Sequence, residues 1–303
     1  IAFTTQLNLI PNFRKFIVEK NSIRKKESDL SLILDDEFEA FCIEECSKLK
    51  SLLTDANLLG HFSDNELPFT RNELSNLLKP EFKNTPGYKD YTKWMLERNI
   101  TDSSISQEQK DEFIGLIAKK YYSTVYSALK KVDTNHLYIG SRLHAAAKNN
   151  KYIFNAAEPF VDIISINYYG YWEPQSKHIQ EWASWSKKPF FITEFYTKAE
   201  DAGLPNITGA GWLVKSQNDR GMHYQNFCLQ LLQAKNCVGW HWFRYQDNDP
   251  EDKTADPSNN DANKGIVTNR YKPYNELLKW MKQLNINSFS LIDFFDGSKT
   301  NNK

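Results

Sequence analysis

The sequence predicts an α/β protein of the (β/α)8 TIM-barrel class, and three observations support this fold. Short apolar segments alternate with amphipathic helical segments, which is the order of elements in a parallel sheet with helical crossovers. The chain has 303 residues, of which 40% are hydrophobic and 14% aromatic, and single barrels commonly have this size. Long polar segments follow several of the apolar ones, as the loops at the carboxyl face of a barrel do.

Six apolar segments have the length and composition of strands. They are residues 2–10, 58–62, 136–142, 161–168, 189–194 and 238–243. A closed barrel of this class has eight strands. We therefore expect one barrel domain over residues 1–303 that supplies strands three to eight, with the first two strands upstream of Ile1 or missing. Because the chain starts at Ile1 and not at Met, we also expect a processed or truncated N-terminus.

The helix predicted most clearly spans about residues 107–131. It begins with the capping-box spacing of Ser106 and Gln109, and apolar residues then recur at the helical period. These residues are Phe113, Ile117, Tyr121 and Val125. Later helices are predicted around Tyr224 and around Leu277 by the same criterion. The polar segments 14–36, 70–106, 198–218 and 246–264 are predicted to be long βα loops or small insertions.

Charge and composition exclude several classes of protein. Lys+Arg and Asp+Glu both number 38, so the chain lacks the basic surplus of a nucleic-acid-binding protein. No apolar run has the length of a membrane span, and no signal-peptide pattern opens the chain. The four cysteines lack the spacing of a metal site, and we expect no structural disulfide. We therefore expect no nucleic-acid partner and no membrane span, and the sequence leaves the oligomeric state open.

Two of the predicted strands lead to a glutamate: the segment that begins with the strand 58–62 ends at Glu66, and the strand 189–194 ends at Glu194. Carboxyl groups at the carboxyl ends of two parallel strands are the arrangement with which many enzymes cleave glycosidic bonds. Each glutamate alone could equally be a solvated strand end. The two together, on strands far apart in the chain, favour a catalytic pair and a polysaccharide or oligosaccharide substrate.

Polar and aromatic residues near these strand ends are candidates for binding the sugar. Asn65 precedes Glu66 directly and could hold a sugar hydroxyl. Asn167, Tyr168 and Tyr169 close the strand before Glu194, and a tyrosine there, such as Tyr168, could donate a hydrogen bond that keeps a carboxylate ionised.

Two further pairs of residues lie at strand ends. Trp240 and Trp242 alternate on one strand and face the same side. We favour Trp242, which is nearer the strand end, as the floor of the sugar site, although barrel packing explains either tryptophan. Arg142 and His144 end another strand and could contact substrate hydroxyls, or could be packed or solvated.

No metal or cofactor is predicted. His61, His144, His223 and His241 are scattered singly, without the HExxH spacing or a nearby set of carboxylates. The acidic run between Asp247 and Asp256 lacks the glycine and terminal glutamate of an EF-hand loop. A solvated loop is therefore favoured over a calcium site.

Four fragments together carry a resemblance to a known group of enzymes. They are DNEL at 64–67, ISINYY at 164–169, TEF at 193–195 and VGWHWFRYQD at 238–247. In their order and spacing they resemble the agarase-type enzymes of glycoside hydrolase clan A, nearest to family 50. QNDR at 217–220 and GIV at 265–267 also resemble that group, so the resemblance extends from about residue 7 to residue 284. Residues 198–211 depart from the family 50 pattern.

The resemblance implies a retaining β-glycosidase with Glu66 as general acid/base and Glu194 as nucleophile. It also implies that Asn65, Tyr168 and Trp242 line the sugar subsite next to the scissile bond. An agar-type galactan is the expected substrate. The alternatives are a retaining hydrolase of another β-linked glycan and a non-catalytic glycan-binding barrel. A secreted or periplasmic location is favoured over a cytoplasmic one.

Overall fold

A computed structural model describes residues 2–297. The chain forms two compact units. The first unit comprises the residues up to Ser165 together with Glu181–Pro189, and the second comprises Ile166–Gln180 and the chain from Phe190 onward. Within residues 2–297 no helix is long and apolar enough to cross a membrane.

The first unit contains a three-stranded parallel sheet and most of the helices. Its strands, in the sheet order β1-β2-β3, are β1 (Phe3–Gln6), β2 (Leu58–Phe62) and β3 (Leu137–Tyr138). Its helices are α1 (Leu9–Lys20), α2 (Asp29–Ile33), α3 (Phe38–Ser47), α4 (Arg71–Asn76), α5 (Pro86–Glu97), α6 (Gln107–Lys130) and α7 (Lys151–Ala157). The core between α1, α3 and α6 is aromatic, since the ring of Phe13 lies 5.3 Å from Phe38 and 5.1 Å from Phe41.

Two elements have residues in both units. They are β4 (Ile164–Asn167) and α8 (Ser176–Trp185). The remaining elements of the second unit are β5 (Phe190–Glu194), β6 (Thr197–Ala199), β7 (Trp212–Val214), α9 (Gln217–Gln233), β8 (Cys237–Trp240), α10 (Asn275–Ile286) and α11 (Ser288–Asp296). The sheet order is β4-β5-β8, with β5 and β8 parallel, and β6 and β7 form a separate parallel pair.

The predicted elements are recovered with shorter strands. The strand at 58–62 and the capped helix α6 are confirmed, and the Ser106 and Gln109 side chains make both hydrogen bonds of the capping box. The strand predicted at 2–10 ends at Gln6, because Asn8 has a left-handed backbone (φ 55°) from which α1 starts. The strand predicted at 136–142 is reduced to β3, and Gly140 (φ 80°) turns the chain after it.

The polar segments predicted as loops contain more regular structure than expected. Residues 14–36 contain the end of α1, a 3-10 turn and α2, and residues 70–106 contain α4, a 3-10 turn and α5. Residues 198–218 contain most of β6 and all of β7, while residues 246–264 form turns without a helix or strand. Small parallel sheets with interleaved helices fit the predicted α/β class, and closure into one barrel stays a prediction.

Candidate active site

Glu66 lies in a short loop that continues β2 in the first unit. The main chain of this loop is tied to the segment after β3, since Ser63 N donates to Gly140 O (2.9 Å) and Glu66 N donates to Ser141 O (3.2 Å). Glu66 has a left-handed backbone with φ 55°, which is uncommon for a residue with a side chain. Its side chain is 31% exposed. The loop therefore presents a half-exposed carboxyl group from a strained position.

The residues before Glu66 fix this loop. Asp64 is fully buried and accepts hydrogen bonds from the Tyr121 hydroxyl (2.6 Å) and from the Ile10 main chain (3.0 Å). Burial raises the pKa of Asp64 to about 7, against the effect of these two donors. Asn65 is exposed.

Arg142 and His144 follow β3 and reach towards the Glu66 loop. His144 Nδ1 lies 3.6 Å from Glu66 Oε1. Burial lowers the pKa of His144, while Glu66 raises it and Lys148 lowers it further. The Arg142 guanidinium donates to Gln6 Oε1 (3.1 Å) and lies 5.4 Å from the Phe62 ring. The first unit thus places His144 beside Glu66, and it places Arg142 beside the ends of β1 and β2.

Glu194 is the last residue of β5 in the second unit and is only 7% exposed. The Tyr169 hydroxyl donates to its Oε2 at 2.8 Å. Its main-chain oxygen accepts from Tyr168 N, also at 2.8 Å, which continues the pairing of β4 with β5. A hydrogen bond from a phenolic hydroxyl stabilises the negative charge of a carboxylate and fixes one of its oxygens.

The donor to Glu194 is therefore Tyr169, where the sequence analysis favoured Tyr168. Successive residues of an extended chain point to opposite sides, so only one of the two tyrosines can face Glu194. The Tyr168 ring is buried, and its hydroxyl contacts His178 Nδ1 and accepts from Gln175 N, both at 2.9 Å. Asn167 is also buried.

Asn167 links two strands of the second unit at the residue before Glu194. The Thr193 hydroxyl donates to Asn167 Oδ1 at 2.6 Å, and both residues are buried. The contact joins the end of β4 to the end of β5, and so it fixes the strand tip that carries Glu194.

Trp242 is held on several sides in the second unit. Its indole N–H donates to Lys264 O at 2.7 Å, and its ring packs against Phe195 with the planes nearly perpendicular (77°). The guanidinium of Arg220 lies 5.3 Å from the Trp242 ring centroid. Trp240, by contrast, donates to the Tyr224 hydroxyl (2.8 Å), in the layer against α9.

Arg220 is a residue whose role the sequence analysis missed. It is completely buried, and its three nitrogens donate to Thr197 O, Gln217 Oε1 and Gly265 O. Burial lowers its pKa to about 10. Its only signal in the sequence was its place in the QNDR fragment.

His61 is not isolated, which corrects the expectation of scattered histidines. His61 Nε2 and His136 Nδ1 lie 2.8 Å and 2.7 Å from the same oxygen of Asp133, and all three residues are buried. Burial raises the pKa of Asp133, but the hydrogen bonds from the His136 main chain and both rings hold it well below its ordinary value. These distances are those of a hydrogen-bonded network centred on one carboxylate.

No protein-family model matches the chain. Beta-agarase B of Vibrio sp. (strain JT0107) is 28% identical over 287 residues, which cover 80% of this chain and 29% of that protein. Beta-agarase A of the same organism is 31% identical over 177 residues, which cover 55% of this chain and 17% of that protein. The chain thus spans less than a third of either curated relative.

Solved structures extend this similarity. The structure superposes on the crystal structure of BpGH50 with a TM-score of 0.88 and a sequence identity of 36%. The match covers 97% of this chain and 64% of the BpGH50 chain. The agarase AgWH50C has the same fold with a TM-score of 0.71, at 24% identity over 86% of this chain and 40% of that one. In sequence and in fold, the chain is therefore similar to BpGH50, and in sequence it is similar to the beta-agarases of Vibrio.

Proposed function

We propose that the chain carries the catalytic site of a retaining β-glycosidase that hydrolyses an agar-type galactan. In this proposal Glu194 is the nucleophile and Glu66 the general acid/base. The substrate class rests on the curated relatives, which are named beta-agarases. The similarity of nearly the whole chain to BpGH50 supports the same class of enzyme.

The observation that carries the proposal is the pairing of Glu194 with Tyr169. A nucleophilic carboxylate must be ionised and must be held in one orientation towards the anomeric carbon. The Tyr169 hydroxyl at 2.8 Å supports both requirements, because it stabilises the negative charge and fixes one carboxylate oxygen. The position of Glu194 at the carboxyl end of a parallel strand is also where such enzymes carry catalytic groups.

The surroundings of Glu66 suit a group that exchanges protons. A general acid/base loses a proton and regains it in every turnover, so it needs contact with solvent or substrate. The 31% exposure of Glu66 meets this need. Its left-handed backbone is the kind of local strain that is often found at functional sites.

The proposed reaction has two displacements. Glu66 gives its proton to the glycosidic oxygen while a Glu194 oxygen attacks the anomeric carbon, so that the leaving sugar departs with a free hydroxyl and a glycosyl ester forms on Glu194. Glu66, now a carboxylate, takes a proton from water, and the water oxygen displaces Glu194 from the anomeric carbon. Two inversions leave the product with the β configuration of the substrate.

The remaining candidates receive supporting roles in this scheme. Asn65, which is exposed, holds a hydroxyl of the sugar beside Glu66. Trp242 forms the floor of the subsite, and Asn167 and Tyr168 keep the β4 end in place. Arg142 and His144 act from the segment after β3.

The proposed substrate also bears on location. Agarose is a polymer that cannot enter a cell intact, so an enzyme that cuts it must meet it outside the cytoplasm. We therefore propose a secreted or periplasmic enzyme.

Reducing-sugar release from a panel of polysaccharides tests the proposed function directly. The 303-residue chain is incubated with agarose, with other marine galactans and with β-linked plant glycans. Release from agarose is the expected result. Reducing-sugar release from another β-linked glycan, with none from agarose, would show that agarose is not the substrate. Binding to a glycan without any release of reducing sugar would favour a non-catalytic glycan-binding protein.

A further inference from the structure

Two exposed tryptophans lie in contact in the second unit. Trp172 is 42% exposed and Trp212 is 50% exposed. Their ring centroids are 6.5 Å apart and their planes are almost perpendicular, at 87°. A single exposed aromatic residue is ordinary, but two large exposed rings in contact form an apolar surface that suggests a ligand.

The position of these rings in the fold relates them to Glu194. Trp172 follows the end of β4 by five residues, and Trp212 opens β7. β7 pairs with β6, and the residue opposite Trp212 is Thr197, three positions after Glu194. The rings therefore belong to the segments that follow the carboxyl ends of β4 and β5, where Glu194 also lies.

A short series of ring contacts connects the pair to Trp242. The Trp172 ring lies 4.8 Å from the ring of His223, and His223 lies 6.4 Å from Trp242. His223 is only 2% exposed, so it forms a buried support between the two tryptophans. Burial lowers its pKa to about 4, against a contribution from the Trp172 main chain that raises it, so this support is uncharged at neutral pH.

The backbone that carries Trp212 is packed tightly. Gly211 precedes it, and a Cβ atom there would collide with the ring and the main-chain oxygen of Tyr196. The main chain of β7 is also fixed by its pairing with β6. A rigid aromatic surface loses little conformational entropy when it binds a ligand, which favours binding through stacking.

The chemistry of this surface suits a neutral ring with an apolar face. Lys215, next to β7, is paired with Glu200 at 2.9 Å. A pyranose has such a face, formed by its axial C–H bonds, and indole rings stack on it.

We propose that Trp172 and Trp212 form a second sugar-binding subsite, which receives a unit of the glycan chain beyond the unit held by Trp242. This inference rests on the proposed function. It predicts that the protein binds long oligosaccharides more tightly than short ones, and that these two rings cause part of the difference.

Calorimetric titration of oligosaccharides from agarose tests the subsite. A disaccharide and an octasaccharide are titrated into Trp172→Ala and Trp212→Ala, each in a Glu194→Gln background that prevents hydrolysis. We expect either change to weaken octasaccharide binding by about 3- to 10-fold and to weaken disaccharide binding less. Trp172→Phe keeps a ring over His223 and should retain part of the affinity.

The control is Phe294→Ala, which removes an aromatic ring of α11 that is 73% exposed. It should bind both ligands like the parent. Equal octasaccharide binding by the parent and by both folded tryptophan variants would overturn the subsite. So would a parent that dimerises in solution through these rings, as shown by a dimer lost in Trp212→Ala.

The outcomes separate this inference from the function on which it rests. If the wild-type chain cuts agarose, and its tryptophan variants still prefer the octasaccharide over the disaccharide as strongly as the parent does, the subsite is contradicted but the proposed function is not. If the wild-type chain neither binds nor cuts these sugars, both the subsite and the proposed function are contradicted.

Discussion

The two candidate catalytic glutamates have opposite surroundings. Glu66 lies in a loop with a left-handed backbone, is 31% exposed, and has His144 Nδ1 at 3.6 Å from its carboxyl group. Glu194 closes a regular strand, is 7% exposed, and receives a hydrogen bond from Tyr169. When two carboxyl groups have environments this different, they suit different chemical roles. In the proposed mechanism, Glu66 exchanges protons with the substrate and Glu194 is the nucleophile.

Removal of the fixed carboxylate should have the largest effect. Glu194→Ala should lower kcat by roughly 10⁴-fold or more, because no covalent intermediate can form without the nucleophile. Initial rates of reducing-sugar release measure the effect. Glu97→Ala on α5, which removes an exposed glutamate, is the control and should match the wild type. Activity of Glu194→Ala within tenfold of the wild type would contradict the role of Glu194 as nucleophile.

Removal of the donor to Glu194 should have the next largest effect. Tyr169→Phe deletes a hydrogen bond to a charged group, which typically contributes about 1.5 to 3 kcal/mol, so kcat should fall about 10- to 150-fold. KM should change much less. Tyr245→Phe, at a tyrosine that is 62% exposed, is the matched control. Equal kcat values for the wild type and Tyr169→Phe would mean that this contact does not prepare the nucleophile.

Removal of the Trp242 ring, the proposed floor of the sugar subsite, should have the third largest effect. If the Trp242 ring stabilises the positive charge of the transition state, Trp242→Ala should lower kcat as well as affinity, by about 2- to 30-fold for an interaction of the cation–π type. Trp242→Phe keeps a ring but loses the hydrogen bond to Lys264 O, so its kcat should lie between those of the wild type and Trp242→Ala. The comparison requires variants that melt near the parent temperature. A folded Trp242→Ala with unchanged kcat and KM would make this ring a packing residue.

The smallest effect concerns the support of the Glu66 loop and appears in stability. Asp64 has a pKa of about 7 in the folded protein and about 3.9 when unfolded, so the folded state binds more protons between these values. Stability should therefore fall as pH rises through this window. Asp64→Asn removes the titration. The free energy of unfolding of Asp64→Asn minus that of the wild type should therefore rise by about 1 kcal/mol or more between pH 5 and pH 8, because only the wild type loses this stability.

Denaturant unfolding at both pH values measures this difference. Thr124→Val on α6 is a suitable control, since it alters a buried hydroxyl of the same helix as Tyr121 but no titrating group. A difference that is the same at pH 5 and pH 8 would mean that Asp64 is not protonated in the folded protein at neutral pH.

The sequence predicted the elements with strong local signals. β2 and α6 were recovered because an apolar run before a polar turn, and a capping box before a periodic helix, are determined by neighbouring residues. The position of Glu194 at the end of β5 followed from the same local signals, whereas Glu66 lies in the loop after β2. Strand lengths were overestimated where a single left-handed residue, such as Asn8 or Gly140, turned the chain.

Contacts between distant residues were the part that could not be predicted. Arg220 contacts Trp242 only because α9 brings its guanidinium to 5.3 Å from the ring centroid, and His61 meets Asp133 across 72 positions of sequence. Asp247 looked like part of a solvated acidic run. It is in fact buried, and it accepts from the Lys264 and Gly265 main chains and from the Tyr274 hydroxyl. Local patterns carry no information about such partners.

Azide rescue tests the division of roles between the two glutamates most directly. Glu66→Ala keeps the nucleophile, so it should still form the glycosyl-enzyme from a substrate whose leaving group needs no proton. Azide should then speed turnover by displacing Glu194, and NMR should find a glycosyl azide with the β configuration of the substrate. Failure of azide to speed Glu66→Ala, or an azide product with the inverted configuration, would contradict the assignment of Glu66 as acid/base and Glu194 as nucleophile.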